Sequence, residues 1–261
     1  MSNPTSTSLP RRQVLAFTLC ALFVGFFVAA EILGSKLFEF SLFGIGPKDI
    51  GTGDGDKFVA TAGILAFPLT FVMTDIVNEY FGKPTVKHFT WIAIAVNLLL
   101  QPVVQAAIRV PAVSFTPGVT AQEIQHAYQI ALGQSWQIVA ASLIAFAAAQ
   151  WLDVQVFTWL RRLTGGKMLW LRSQGSTVVS QLIDTIVVIF LAFVVIPAAT
   201  GGHPWSMQQA TEVALTNYVY KFLIAVLSTP ALYFVHAAVE RYLGHAEAHA
   251  LVQSAHPQDP D

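Results

Sequence analysis

Six ionisable side chains fall inside stretches that are otherwise apolar enough to lie in a membrane. A charged group in the hydrocarbon core costs ~2.5–3.5 kcal/mol on insertion scales, so such groups usually face a cavity or a partner. The six residues are Glu31, Lys36, Asp75, Asp153, Asp184 and Lys221. Their number predicts a polar site between helices, where a polar solute or a proton could bind.

Helical spacing places most of these groups on polar stripes. Positions four residues apart lie on one face of a helix, and lipid cannot satisfy polar groups there. The stripes are Phe67, Phe71, Asp75 and Asn78; Thr177, Gln181 and Asp184, with Ser180 beside them; Asn97, Gln101 and Gln105; Asn217 and Lys221; and Glu31 and Ser35. We expect all five helices to turn these faces toward one polar cavity.

Packing between helices is the alternative role for each group. Interhelical polar contacts average only ~0.6 kcal/mol in one well-studied membrane protein, so they would stabilise the bundle weakly. For a single Asn or Gln, such as Asn97, we favour packing. For Asp75 and Asp184 we favour the cavity, because each lies within a polar stripe.

Two carboxylates, Asp153 from this set and Glu79, are expected to pair near the membrane interface rather than in the cavity. Asp153 lies close to the end of its helix, with Arg161 and Arg162 just beyond it. Glu79 precedes Lys83 by four residues, the spacing of a helical ion pair.

Composition excludes a soluble protein. The chain has 261 residues, of which 54% are hydrophobic and 11% are charged, and its mean hydropathy is +0.58. An ordinary soluble domain is about 25% charged. A net charge of -1 with no basic face argues against nucleic-acid binding. The single cysteine, Cys20, excludes a disulfide framework and a thiolate metal site.

The predicted fold is an all-α bundle of six transmembrane helices. A spanning helix needs about 20 mostly apolar residues, and strand-like alternation, which would indicate a barrel, is absent. The predicted spans are about Val14–Lys36, Phe58–Val77, Phe89–Val110, Trp136–Trp159, Val178–Ala199 and Tyr218–Val239. The first is too long for a cleavable signal. Residues 1–243 are expected to form this domain.

The basic residues predict both termini in the cytoplasm. Nine Lys and Arg residues fall on the side of the termini and five on the other, and cytoplasmic loops carry the excess of positive charge. The two later outer loops could each hold a short helix. Such helices could act as lids or could only pack on the surface, and the two roles are about equally plausible. One would open with a capping box at Thr120 and Glu123, and the other would follow Pro204.

The polar tail, residues 244–261, is predicted to be disordered. Its three histidines could bind a metal, although an idle tail is favoured, and we assign no metal site and no cofactor. The histidines are His245, His249 and His256.

The chemistry of the expected cavity favours a ligand rich in N–H donors. Three carboxylates, those of Glu31, Asp75 and Asp184, face two lysines, Lys36 and Lys221. A guanine-like base fits, because its N1–H and exocyclic amine can donate to one carboxylate while its carbonyl accepts from Lys or Gln. A polyamine or a proton fits the charges nearly as well. The residues alone therefore predict only a transporter of a polar solute.

Three strings resemble a known family. FPLTFVMTDIVNEYFG (residues 67–82) and LWLRSQGSTVVSQLID (169–184) resemble two signatures of the queuosine precursor transporter family, earlier described as vitamin-uptake-like. YVYKFLIAVLSTP (218–230) is similar to its last helix, and Ser35-Lys36-Leu37 weakly matches its first. The resemblance covers about residues 14–242, in order.

The resemblance implies a six-helix inner-membrane importer of 7-cyano- and 7-aminomethyl-7-deazaguanine, bases used in tRNA modification. The matched positions are Lys36, Asp75, Glu79, Gln181, Asp184 and Lys221. Phe67, Phe71, Asn78, Asn97 and Glu31 complete the expected substrate site. Glu31 stands where many members have asparagine, and residues 44–57 make a longer first loop. The extra carboxylate would favour the cationic aminomethyl compound. Expected partners are this base and the lipid membrane, with a homodimer left open.

Two other classes compete with a self-contained transporter. Gly51-Thr-Gly-Asp54 fits the G-x-G-D pattern of intramembrane aspartyl proteases, but Asp54 lies in a polar loop, and that chemistry needs two close aspartates. The chain could instead be the substrate-binding subunit of an uptake system driven by a separate ATPase, because it has no Walker motif of its own. Because the protease pattern is not supported, we expect no enzymatic activity.

Overall fold

The architecture was obtained as a computed structural model, which describes residues 9–34, 36–41, 44–51, 55–133 and 136–256. Helices dominate this part of the chain. In chain order they are α1 (Arg11–Leu33), α2 (Phe67–Arg109), α3 (Ala121–Leu132), α4 (Trp136–Leu163), α5 (Leu169–Phe190), α6 (Ile196–Thr200), α7 (Met207–Leu227), α8 (Thr229–Leu243) and α9 (His245–Ala255). A π-helical turn, Leu191–Val195, joins α5 to α6. Within the described residues, five helical segments are long and apolar enough to cross a membrane.

Helix α2 is two helical arms that meet at Gly82. Its backbone there is non-helical, with φ 77° and ψ 174°, a conformation that residues with a Cβ rarely adopt. Before the bend, Gly63 lies against the Ala30 carbonyl near the end of α1. After it, Asn97 lines a small cavity with Glu31. Both arms therefore extend from Gly82 back to the level of Glu31, and they run in opposite directions.

The first arm of α2, residues 67–81, is the centre of the molecule. Residues 70–80 are all buried, whereas the other long helices expose one apolar face. Around this arm, α1 and α4 contribute aromatic rings, and the Phe27 and Phe146 centroids lie 4.0 Å apart. Polar groups on the first arm are consequently held between helices and away from lipid.

A β-hairpin replaces the first part of the second predicted span. Leu37–Phe40 pairs antiparallel with Phe58–Thr61, and a 3₁₀ turn, Ala62–Leu65, follows. The helix starts only at Phe67, with Pro68 in its first turn, where a missing N–H is tolerated. The predicted span over Phe58–Val77 is therefore wrong at its start. Phe40 packs on Tyr220 of α7, with ring centroids 4.4 Å apart.

The predicted capping box is present and opens α3. Thr120 Oγ1 accepts from the Glu123 backbone N–H, and the Glu123 carboxylate accepts from the Thr120 N–H at 2.7 Å. The hydrogen bonds that the Glu123 carboxylate accepts from the Thr120 backbone N–H and from Thr120 Oγ1 hold the pKa of Glu123 below its ordinary value. The segment after Pro204 is not a separate helix, because α7 begins at Met207 and continues to Leu227.

The tail is helical rather than disordered over residues 245–255. Helix α9 packs its buried Ala248 onto the hydrophobic core. The last carbonyl of α9, at Ala255, approaches Gly82, where an added Cβ would lie 3.2 Å from it. His256 contacts the Asn78 carbonyl with Nε2 at 2.9 Å. The prediction for residues 257–261 lies outside the described residues.

Candidate solute site

A cavity of about 490 Å³ lies between the helices, next to the C-terminal end of α1. Small-molecule sites usually enclose about 300–1,000 Å³. Polar groups come from α1, α4, α5 and α7, while Ile130 and Gly133 approach from α3 and the segment after it. The polar side chains that line it include Glu31, Ser142, Asp184, Asn217 and Lys221.

Asp184 and Lys221 form an ion pair in the wall of the cavity. Lys221 Nζ donates to Asp184 Oδ2 at 2.6 Å, and the two side chains are 14% and 13% exposed, respectively. The ammonium also lies 5.7 Å from the centroid of the Phe67 ring, within range of a cation–π contact. The pair presents an acceptor and a donor side by side, above an aromatic face.

Glu31 supplies a second carboxylate from the last turns of α1. Ser142 Oγ of α4 donates to Glu31 Oε1 at 2.6 Å. Among the described residues that line the cavity there are thus two carboxylates and one ammonium. This balance favours a ligand with more hydrogen-bond donors than acceptors.

A narrower pocket continues from the cavity along Phe67 and Lys221. It holds about 20 Å³, room for one water, and is also lined by Phe71 and Gln181. The Phe67 and Phe71 rings are nearly parallel, at 24°, with centroids 6.4 Å apart. Two predicted site residues, Phe71 and Gln181, therefore lie beside the main cavity.

Asp75 and Asn78 lie deeper, in a separate buried layer. Asp75 is 2% exposed and accepts from Ser173 Oγ, but its Oδ1 has no hydrogen-bond partner among the described residues. Asn78 Nδ2 and Oδ1 are also buried and have no hydrogen-bond partner among the described residues. Nearby, Ser180 Oγ donates to Asp153 Oδ1 at 3.1 Å. This layer is distinct from the walls of the cavity.

Asn97 and Lys36 also lie apart from the main cavity. Asn97 is buried, accepts from Gln101 Nε2 at 3.3 Å, and lines a small pocket of about 30 Å³ that it shares with Glu31. Lys36 follows the end of α1, and its side chain is exposed. Its backbone carbonyl accepts from the Ala62 N–H at 2.7 Å, which connects it to the 3₁₀ turn that precedes α2.

A buried ion cluster near Gly82 was not predicted from the sequence. Glu79 pairs with Arg161, and it also pairs with Arg172, with Nη1 3.2 Å from Oε2. All three side chains are at most 7% exposed. Arg161 and Arg172 were counted as loop charges, although Arg172 lies inside the second family-like string.

The expected interfacial pairs are therefore wrong. Arg161 binds Glu79, and the Asp153 carboxylate accepts from Ser180. Lys83 donates to Gln155 at 3.0 Å instead of pairing with Glu79. The G-x-G-D aspartate, Asp54, and Ser35, which shares a predicted stripe with Glu31, lie outside the described residues.

The fold and the cavity together define a multi-pass membrane protein that can hold a polar solute between its helices. Residues 61–235 match the family described as "Putative vitamin uptake transporter". The chain belongs to this family, whose members are transporters and not enzymes.

Named relatives agree with this assignment. A Bacillus subtilis protein named "Probable queuosine precursor transporter" is 32% identical over 176 residues, which cover 67% of this chain and 70% of the relative. The Escherichia coli "Queuosine precursor transporter" is 27% identical over 213 residues, covering 76% and 82%. No solved structure matches the chain.

Proposed function

We propose that this protein imports 7-deazaguanine precursors of queuosine, the 7-cyano and 7-aminomethyl bases, across the bacterial inner membrane for tRNA modification. The names of its relatives support this substrate class. The observation that carries the proposal is the Asp184–Lys221 pair in the wall of a cavity of about 490 Å³.

The pair matches the edge of a guanine-like base. Such a base presents one carbonyl acceptor beside two N–H donors. Lys221 would donate to the carbonyl, and Asp184 would accept from N1–H and the exocyclic amine. The Phe67 ring, which already lies beside the Lys221 ammonium, offers an apolar face to the flat heterocycle. Gln181 lines the adjoining pocket and can support this edge.

Glu31 would select between the two precursors. It lines the same cavity as Asp184 and Lys221, so the cavity holds one more carboxylate than ammonium among its described residues. A cationic aminomethyl group gains from that charge, whereas a neutral cyano group does not. If wild type and Glu31→Gln take up both compounds equally, this assignment of Glu31 is wrong.

The bend at Gly82 supports six membrane crossings with both termini in the cytoplasm. The two arms of α2 run in opposite directions, so this one element would cross twice and the five long segments would give six spans. The excess of basic residues favours a cytoplasmic position for Gly82 and the N-terminus. In this topology the cavity would lie toward the outer side, because it adjoins the C-terminal end of α1.

The cytoplasmic side would be closed in this conformation. The Glu79–Arg161–Arg172 cluster ties the first arm of α2 to α4 and α5. Helix α9 covers the same end at Gly82 and Asn78. Alternating access then requires this closure to open while the outer side closes, with α3 acting as a lid through Ile130. The buried layer of Asp75 and Asn78 lies on the path between the two sides.

Proton coupling through an intramembrane carboxylate is part of the proposed mechanism. A carboxylate that exchanges a proton between the two conformations would link solute movement to the pH gradient. Asp75 would lie on this path, and its buried Oδ1 has no hydrogen-bond partner among the residues that the structure describes. Uptake into proteoliposomes should therefore follow an inward proton gradient, and a flux that is independent of the gradient would reject the coupling.

The experiment that tests the proposed function uses bacteria that cannot make 7-deazaguanines and have no importer of their own. Wild-type protein should restore queuosine in tRNA when either base is supplied, as measured by mass spectrometry. Asp184→Asn should abolish this. Asp56→Asn, which removes an exposed carboxylate paired with exposed Lys48, is the matched control and should remain active. Uptake of radiolabelled polyamine in place of the bases would instead establish a cation transporter.

A further inference from the structure

A second cavity, of about 290 Å³, lies between the second arm of α2 and α4, at the Gly82 end of the molecule. On the α2 side its lining includes Lys83, Lys87 and Trp91, and on the α4 side it includes Gln150, Trp151 and Gln155. We propose that this groove binds one anionic phospholipid of the cytoplasmic leaflet.

The charge of the groove is positive at its Gly82 end. Its lining includes two lysines and no acidic residue among the described side chains. Lys87 is exposed, and Lys83 is held toward α4 by its hydrogen bond to Gln155 Oε1 at 3.0 Å. Arg162 is exposed in the last turn of α4, seven residues after Gln155 and therefore on the same face of the helix, and it adds a third positive charge at this end. Basic pockets between helices on this side of a membrane bind anionic headgroups.

The remainder of the groove is apolar and suits an acyl chain. Ile94 and Ala147 form its walls deeper in the membrane, while Val86 and Val154 lie nearer its Gly82 end. Trp91 and Trp151 are 59% and 67% exposed and lie on the two helices that flank the groove. Tryptophan is enriched at the level of the lipid headgroups. The lysines thus lie where a phosphate would, and the apolar walls lie where its chain would.

The inner surface of the groove contacts the first arm of α2. Gln150, 2% exposed, donates to Thr74 Oγ1 at 2.7 Å on the first arm of α2. Thr74 directly precedes Asp75. A bound lipid would therefore hold α4 and both arms of α2 together beside the buried carboxylate layer.

The test uses the full-length protein purified in a neutral detergent. Thermal unfolding is measured with added dioleoyl phosphatidylglycerol, with the zwitterionic dioleoyl phosphatidylcholine, and with inorganic phosphate. Phosphatidylglycerol should raise Tm in a saturable way, because a ligand that binds the folded state stabilises it. Neither of the other additions should do so.

Two variants test whether the stabilising lipid binds in the groove. Lys87→Gln should weaken the apparent affinity for phosphatidylglycerol about fivefold, the usual contribution of one basic residue near an anionic lipid surface. Lys167→Gln removes an exposed lysine that does not line the groove and should leave the affinity unchanged. Both lysines are exposed, so both variants should fold as wild type does.

Three results would overturn the proposal. Equal stabilisation by the two lipids would show that charge is not recognised. Equal losses in the two variants would show attraction to the surface as a whole rather than to the groove. Stabilisation by phosphate alone that depends on Lys87 would show an anion site that needs no lipid.

Discussion

Replacing Glu79 with glutamine should destabilise the protein strongly, because Glu79 neutralises two buried arginines. Its side chain is 7% exposed, and those of Arg161 and Arg172 are 4% and 2% exposed. Glutamine keeps the size and hydrogen-bonding capacity of the side chain but removes the negative charge that Glu79 presents to both guanidinium groups. Removing one partner of a buried ion pair costs about 3–5 kcal/mol.

The expected change is large enough to measure by thermal unfolding. For chains of this size, about 1 kcal/mol shifts Tm by roughly 2–4 °C, so Glu79→Gln should unfold about 10 °C below wild type. The assay is intrinsic tryptophan fluorescence of the purified protein during heating, in one detergent and at one pH.

The same substitution at an exposed pair is the control. Glu39 bonds Lys57 at 3.3 Å, and these side chains are 62% and 60% exposed. Exposed ion pairs contribute little to stability, so Glu39→Gln should unfold within about 2 °C of wild type. If Glu79→Gln also unfolds within that range, the two arginines do not depend on Glu79 and the reasoning about the cytoplasmic closure is refuted.

Three other predictions follow from single features. Gly82→Ala should cost about 1–2 kcal/mol from the positive φ alone, and the close approach of the new Cβ to the Ala255 carbonyl should add to this cost. It should therefore lower Tm further than Gly118→Ala, because Gly118 also has a positive φ but a Cβ added there would contact no other atom. The lowered pKa of Glu123 stabilises α3 above the ordinary value of 4.5, so wild type should protect α3 amides from hydrogen exchange better than Glu123→Gln at pH 7, and the two should converge as the pH falls well below 4.5. Lys221→Met should abolish uptake of both 7-deazaguanines in cells, because Asp184 loses its cation; uptake at the wild-type rate would remove Lys221 from the site.

Helical periodicity predicted which face of each helix carries the polar side chains, but not how far each side chain lies from the cavity along the helix axis. Glu31, Asp184 and Lys221 were expected to face one cavity, and they line it. Asp75 was placed with them because it shares a face with Phe67. Eight residues separate the two, which is about 12 Å along a helix. Asp75 consequently meets Ser173 in a deeper layer, while Phe67 meets Lys221.

The Gly82 end was the least predictable part of the molecule. Arg161 and Arg172 flank a short basic loop, where positive charge usually reports orientation, and their burial depends on the position of Glu79. The tail after Gly244 was judged from its polar residues, although its alanines favour a helix. Its packing requires a gap beside Gly82, which only the assembled fold provides.

The hairpin was also missed for a physical reason. Residues 58–66 are apolar, and an apolar run of that length is compatible with a helix or with a buried strand. Its pairing with Leu37–Phe40 is a contact across a long loop, which local hydropathy does not report. Gly82, in contrast, lies between the second and third predicted spans, where the backbone leaves the helical conformation.

The most direct test of the central claim is binding of 7-aminomethyl-7-deazaguanine to the purified protein by isothermal titration calorimetry. Wild type should bind it saturably, and Asp56→Asn should match wild type. Asp184→Asn should bind at least tenfold more weakly, since a lost hydrogen bond to a charged group costs about 1.5–3 kcal/mol. Asp75→Asn should retain binding, because Asp75 lies outside the cavity. No saturable binding to wild type, or wild-type affinity in Asp184→Asn, would contradict the account.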